Sequence, residues 1–331
     1  MKQLDPATAP RRARSGRRST AEEVSEGVDL SGGHAIVTGA SGGIGLETAR
    51  VLALRGASVT MACRDLAKGG AARRRVVAES EGRIDPEALR LAYLDLASLE
   101  SVREFARGFL GTDRPIHLLI NNAGVMLPDR RETRDGFEAH FGINHLGHFL
   151  LTNLLLERIR ASAPARIVNV SSDAMHFSSL TPELSDLNWQ QRPFSGWRSY
   201  GDSKLMNLLF TNELNRRLEG AGVAASALHP GMVTTELGRD QKGWLNLVGI
   251  VMRPFMKTVE QGAATTLYAA VCADPSQPGA SYLADCAPAR PARLAGDRDV
   301  AARLWELSRR LTRPRARSNG DSVSRARGRQ N

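Results

Sequence analysis

From residue 34 onward the chain alternates short apolar, often β-branched runs with longer stretches of helical periodicity. The runs His34–Thr38, Ser58–Ala62, Arg90–Leu94, Ile116–Ile120, Arg166–Val170 and Val223–Leu228 read as strands. Between them lie candidate helices at Gly43–Arg55, Asp65–Glu79, Ser98–Leu110, Phe137–Ala161 and Tyr200–Leu218. A strand, a helix and then another strand in this rhythm make βαβ units, whose crossovers require a parallel sheet covered by helices on both faces. In such an α/β sheet, ligands bind beyond the carboxyl ends of the strands, so the loops after each strand are where function is sought.

The first of those loops is Thr38-Gly39-Ala40-Ser41-Gly42-Gly43-Ile44-Gly45. Glycines let the backbone approach a pyrophosphate, and the helix that follows offers unpaired N–H groups at its N-terminus. A glycine-rich turn alone is weak evidence, but this one lies between a buried strand and an amphipathic helix, the context dinucleotide binding requires. The second strand runs into Cys63-Arg64, where an acidic residue would bind ribose hydroxyls and an Arg suits a 2′-phosphate. Asp65 reads as a helix N-cap rather than a ribose ligand. NADP(H) is therefore preferred, with NAD(H) the second choice. Asp95-Leu96 would edge the adenine, and Asn122, Ala123 and Gly124 would let the backbone approach the nicotinamide-side ribose. His229-Pro230-Gly231-Met232-Val233-Thr234-Thr235 would close over the carboxamide, which makes Pro230, Gly231, Val233 and Thr235 cofactor candidates.

Tyr200 stands four residues before Lys204, in a chain with only four tyrosines and five lysines. On a helix this spacing puts phenol and ammonium on one face. A nearby cation favours the phenolate, which would bring the proton of Tyr200 below its ordinary pKa of ~10. Asn144 lies inside a helical run where its amide competes with the backbone, which suggests a kink or a water site. His140, His145 and His148 match no helical metal-ligand spacing and read as core or surface histidines, so no metal is expected. Ser171 and Ser172 end the fifth strand. A serine hydrolase is the competing idea, but no Gly-x-Ser-x-Gly elbow surrounds either serine.

The net charge of +10 suggests a nucleic-acid partner until it is located. Residues 1–20 and 312–331 each carry +5, and residues 21–311 sum to zero. Both tails have the Arg-, Ser- and Gly-rich composition of disordered arms, so no nucleic acid is expected for the core. The expected organisation is a basic arm over 1–29, one domain over 30–311 and a basic tail over 312–331. Three cysteines without pattern indicate neither a disulfide framework nor a zinc site. No apolar targeting segment precedes Ala35, and no uncharged apolar run is long enough for a transmembrane anchor, so a cytoplasmic protein is expected.

Taken in order, Thr-Gly-x-x-x-Gly-x-Gly, Asn-Asn-Ala-Gly, the helical Asn, the strand-end Ser, Tyr-x-x-x-Lys and Pro-Gly resemble the short-chain dehydrogenase/reductase superfamily. The segments Asn144–Ser172 and Ala302–Ser308 resemble its retinol dehydrogenase-like branch. The resemblance spans roughly residues 30–310. It implies a single Rossmann-type doubly wound sheet of about seven strands in the order 3-2-1-4-5-6-7. It further implies that Tyr200 is the general acid or base and that Lys204 lowers its pKa and binds the nicotinamide ribose. Ser172, rather than Ser171, would hold the substrate oxygen, and Asn144 would hold a water linking Lys204 to solvent. Thr38, Gly39, Ser41, Gly42, Gly43, Ile44 and Gly45, with Asn144, Tyr200 and Lys204, complete the implied cofactor site.

Substrate specificity is expected in Asp173–Ser199 and in Glu236–Lys257. The first holds Met175, Phe177, Trp189, Phe194 and Trp197; the second holds Trp244, Leu245, Leu247, Ile250 and Phe255. Aromatic and apolar side chains with few charges suit a lipophilic alcohol or carbonyl compound. A helix packed on its own core is an equal reading of the second stretch, and peripheral contact with a membrane surface is a third. The expected function is an NADP-dependent oxidoreductase; the alternative is a non-enzymatic NADP(H)-binding sensor. The oligomeric state is not fixed by the sequence.

Overall fold

A computed structural model of the chain describes residues 15–233, 256–274, 277 and 279–314. The chain enters through a short helix, α1 (Ala21–Val24), and then alternates strand and helix. The elements are β1 (His34–Thr38), α2 (Gly43–Leu54), β2 (Ser58–Cys63), α3 (Leu66–Glu79), β3 (Leu89–Tyr93), α4 (Leu99–Leu110) and β4 (Leu118–Asn121). A π-helical stretch, His140–Gly147, runs directly into α5 (His148–Ala161), followed by β5 (Ala165–Val170), α6 (Gly196–Arg217) and β6 (Val223–His229). Last come α7 (Val259–Leu267), β7 (Tyr282–Ala284), β8 (Ala287–Pro288) and α8 (Arg298–Leu311).

The strands form one sheet in the order β3-β2-β1-β4-β5-β6-β7-β8. All neighbours from β3 to β7 are parallel, and β8 adds an antiparallel edge against β7. The expected seven-strand order is therefore present, with one strand more. Period-2 alternation divides the core between the faces. Ala35, Val37, Val59, Met61, Leu118 and Ile120 pack toward α1, α2 and α7. Ile36, Leu119 and Ile167 pack toward α4, α5 and α6. Each fully buried aliphatic side chain of this kind contributes about 1.5–3 kcal/mol, which fixes the register and so the height at which each strand-end loop emerges.

Three boundaries differ from expectation, each for a local reason. Of the basic arm expected over 1–29, residues 15–29 are folded: Thr20 and Glu23 form a reciprocal capping box, and Ala21 and Val24 are buried. A cap of this kind stabilises by about 1 kcal/mol, and it closes a helix too short to show any periodicity. The helix carrying Tyr200 begins four residues early, because the Ser195 hydroxyl accepts the Arg198 N–H and caps it there. The run Phe137–Ala161 is not one α-helix; it begins at Ala139, and residues 140–147 widen to π geometry where a kink was expected at Asn144. Among the described residues, no helix is long and apolar enough to cross a membrane.

Candidate active site

The carboxyl ends of β1, β2, β4, β5 and β6 open into one cleft of about 680 Å3, large enough for an extended small-molecule cofactor. Every cofactor candidate from Thr38 to Val233 lines it except Asn144, and Ser172 lines it as well. Thr235 lies outside the described residues, as do Trp244, Leu245, Leu247, Ile250 and Phe255.

One end of the cleft is made of backbone. Gly39 (φ +68°) and Gly43 (φ +53°) hold left-handed conformations that let the chain turn out of β1 and into α2. The N-cap of α2, Gly42, has no side-chain capping bond, so the first-turn N–H groups remain available to an anion. A Cβ on Gly45 would strike the Asn122 amide and the Gly39 carbonyl, so only glycine lets α2 pack this close to the β4 loop. Arg64 lines this end, and so does Lys68, a second cation that sequence reasoning missed. Its only available signal was position: it is the third residue of α3, whose Asp65 cap accepts its N–H as expected. Cys63 faces the core, where burial pushes its thiol up to about 11 despite hydrogen bonds with Ala40 and Ser41. Thr38, expected to bind cofactor, spends its hydroxyl inside the protein: it accepts N–H bonds from Asn122 and Ala123 and meets His148 Nε2 at 2.9 Å.

The other end is made of buried side chains. Tyr200 and Lys204 both project from α6, with the ammonium nitrogen 5.4 Å from the ring centroid. Lys204 Nζ donates to the Val170 carbonyl at 2.9 Å. Ser172 interacts with the Tyr200 side chain, and its hydroxyl accepts the Ala174 N–H at 3.2 Å. Ser171, by contrast, is buried and donates its hydroxyl to the Lys204 carbonyl at 2.7 Å, a link between β5 and α6. Burial pushes Tyr200 up to about 12 against the pull of its interaction with Ser172, and desolvation brings Lys204 down to about 8. The expectation that the phenol falls below its ordinary value is therefore corrected: withdrawal from water holds it above that value.

Asn144 stands behind the cleft wall rather than in it. Its Oδ1 accepts the Val125 N–H at 2.8 Å, and its Nδ2 donates to the Val125 carbonyl and the Ser203 hydroxyl, both at 3.0 Å. The amide expected to hold a water is thus bonded to protein on each of its polar atoms. His140, His145 and His148 are all buried. On the substrate side, Met175 and Trp189 are core residues, whereas Phe177 (67% exposed) and Trp197 (54%) face outward with ring centroids 6.3 Å apart. In the chain both lie between Ser172 and Tyr200.

The model of the family described as short chain dehydrogenase matches residues 33–181. The chain is 46% identical over 283 residues to retinol dehydrogenase 12 of Homo sapiens, covering 85% of this chain and 86% of that protein. Among solved structures, an uncharacterized protein from Mycobacterium paratuberculosis is 39% identical, with a TM-score of 0.69 and coverage of 89% of this chain and 97% of the other. A blue fluorescent protein from a metagenomic library, crystallised with NADPH, is 26% identical with a TM-score of 0.55 and coverage of 73% and 92%.

Proposed function

The chain belongs to the short-chain dehydrogenase/reductase superfamily, in its retinol dehydrogenase-like branch, and from that premise we propose an NADP(H)-dependent oxidoreductase that interconverts an alcohol with a ketone or aldehyde on a lipophilic small molecule. The observation that carries this reading is the pairing of the Tyr200 and Ser172 hydroxyls on the wall of the cleft that the glycine turn also lines. Binding alone needs no such pair, and this weighs against a cofactor sensor.

The residues present fit a phosphorylated dinucleotide. The uncapped N-terminus of α2 suits a pyrophosphate, and Arg64 and Lys68 at the same end suit a 2′-phosphate. When bound, the nicotinamide supplies or accepts the hydride. In the direction of reduction, the Tyr200 phenol donates its proton to the substrate oxygen while Ser172 donates a hydrogen bond to the same atom. A phenol held up to about 12 is proton-loaded at neutral pH, the form a general acid requires. Lys204, at about 8, is still mainly cationic there; its ammonium has donors beyond the Val170 bond for a ribose hydroxyl, and its charge stabilises the phenolate left behind. In oxidation the same residues run in reverse. Asn144 serves by holding Val125 in the wall. The exposed, mutually packed Phe177 and Trp197 offer an apolar body a surface.

The test is to mix purified protein with NADPH and a panel of aldehydes, ketones, retinoids and steroids and to follow absorbance loss. Turnover with several lipophilic carbonyls is the expected result. Tyr200→Phe should lose about 10²- to 10⁴-fold in kcat while binding NADPH as the parent does. Undiminished turnover in that variant would remove Tyr200 from its role, and tight NADPH binding with no turnover across the panel would favour the sensor.

A further inference from the structure

Two buried titratable side chains, Glu138 and His140, lie directly behind the catalytic wall, and the proton exchange described above uses neither. His140 Nε2 accepts the Leu127 N–H at 2.8 Å. A ring nitrogen that accepts from a backbone amide carries no proton, so the ring hydrogen must be on Nδ1. There it faces Glu138 Oε1 at 2.9 Å and Ser199 Oγ at 3.1 Å. Glu138 is itself anchored, accepting the N–H groups of His140 at 3.0 Å and Phe141 at 2.9 Å. Burial pushes its carboxyl up, but the His140 bond and these amides outweigh burial and hold it below the usual carboxylate range.

These bonds form one rung of a two-rung frame. Leu127 bonds to His140, which bonds to Ser199; Val125 bonds to Asn144, which bonds to Ser203. His140 and Asn144 are four residues apart on one helix, and Ser199 and Ser203 are four apart on α6, bracketing Tyr200. Val125 and Leu127 line the cleft. The His140 ring also meets the Tyr200 ring edge-on, centroids 5.9 Å apart, and stacks on Phe194 from its other side. A Cβ on Gly196 would collide with the Leu127 carbonyl, so the first turn of α6 lies directly against this wall.

We infer that Glu138 and His140 are positioning residues for Tyr200: Glu138 fixes the His140 tautomer, and His140 then sets the spacing between the wall at Leu127 and the helix that carries the phenol. The inference rests on the reading of Tyr200 as the proton-exchanging group. An imidazolium, or the other tautomer, would set an Nε2–H against the Leu127 N–H and open the rung.

The test uses the full chain and two variants that cut opposite halves of the rung. His140→Asn keeps a donor for Glu138 and Ser199 and removes the acceptor for Leu127; His140→Gln does the converse. Both should bind NADPH within about twofold of the parent, because the pyrophosphate end is untouched, and both should lose about tenfold or more in kcat, since small misplacements of reacting groups are costly. His145→Asn is the control: it removes an equally buried histidine's Nε2 from its 2.8 Å bond to Ser308 on α8, and should lower Tm without that loss of kcat. Nitrogen-15 spectra of the histidines in the parent protein should show the neutral His140 ring protonated at Nδ1 and bare at Nε2. Parent-like kcat in both His140 variants, with Tyr200→Phe inactive, would overturn the inference; so would a protonated Nε2, whether or not the variants fold. Normal turnover by Tyr200→Phe would sink the underlying reading and this inference with it.

Discussion

The two ends of the cleft are built by opposite means. At the α2 end, glycine conformations, a helix N-terminus without a side-chain cap, and the cations Arg64 and Lys68 form an anion cradle from backbone and surface charge. At the α6 end, Tyr200, Lys204, Asn144 and Ser171 are buried polar side chains, each held by partners from another element. On the proposed reading the first end would recognise a shape common to many dinucleotides. The second, on the same reading, would place a proton, with groups whose titration has been moved by the loss of water. The comparison teaches that binding and chemistry are separable here, so a substitution at one end should leave the function of the other intact.

The sharpest way to break that separation is Ser172→Ala. Loss of a donor aimed at a substrate oxygen costs about 10²- to 10³-fold in kcat, and NADPH affinity should not change in a fluorescence titration. If affinity fell together with kcat, the two ends would be one unit. Gly45→Val is the reciprocal cut. Its side chain would push against Asn122 and the Gly39 carbonyl, and overpacking of about 1–3 kcal/mol should weaken NADPH by up to about 100-fold. At saturating cofactor its kcat should recover to near the parent value; a kcat that stays low would show that the strain reaches α6. Arg64→Gln is milder. Charge-assisted bonds contribute about 1.5–3 kcal/mol, so the preference for NADPH over NADH should fall by about 10- to 100-fold. A parent enzyme using both cofactors equally well would remove Arg64 from the 2′-phosphate.

The same contrast explains what was legible in the sequence. The α2 end could be read because its determinants are local: glycine spacing between a strand and a helix states the turn and its use within eight residues. The strands were legible too, because both faces of the sheet are covered and their apolar runs are nearly continuous. The α6 end was only half legible. Tyr200, Lys204 and Ser172 could be named through their spacing and family resemblance, but the raised phenol could not, because burial is a property of the assembled layers. Glu138, His140 and Ser199 were missed as a unit because they lie up to 61 positions apart and meet only when the π-helical stretch docks on α6. The short α1 was hidden for the opposite reason: its cap is local, but its apolar contacts are with α7, more than two hundred residues away.

The smallest effect concerns the buried ammonium and is read from stability rather than turnover. Lys204 loses its proton at about 8 in the folded chain, whereas an unfolded lysine keeps it to ~10.4. Between those values the unfolded state binds more protons, so this group makes folding more favourable as pH rises through the window. Below about 8 both states are protonated and the desolvation cost is fully present. The cofactor-free parent, compared with Lys204→Met by urea unfolding from pH 7 to pH 10, should therefore gain stability relative to the variant, with the gain beginning near pH 8. Met fills the same channel without a charge, so the difference isolates the ammonium from its packing. A flat difference would mean that Lys204 is hydrated as an ordinary lysine is, and the α6 end would then be no drier than the α2 end.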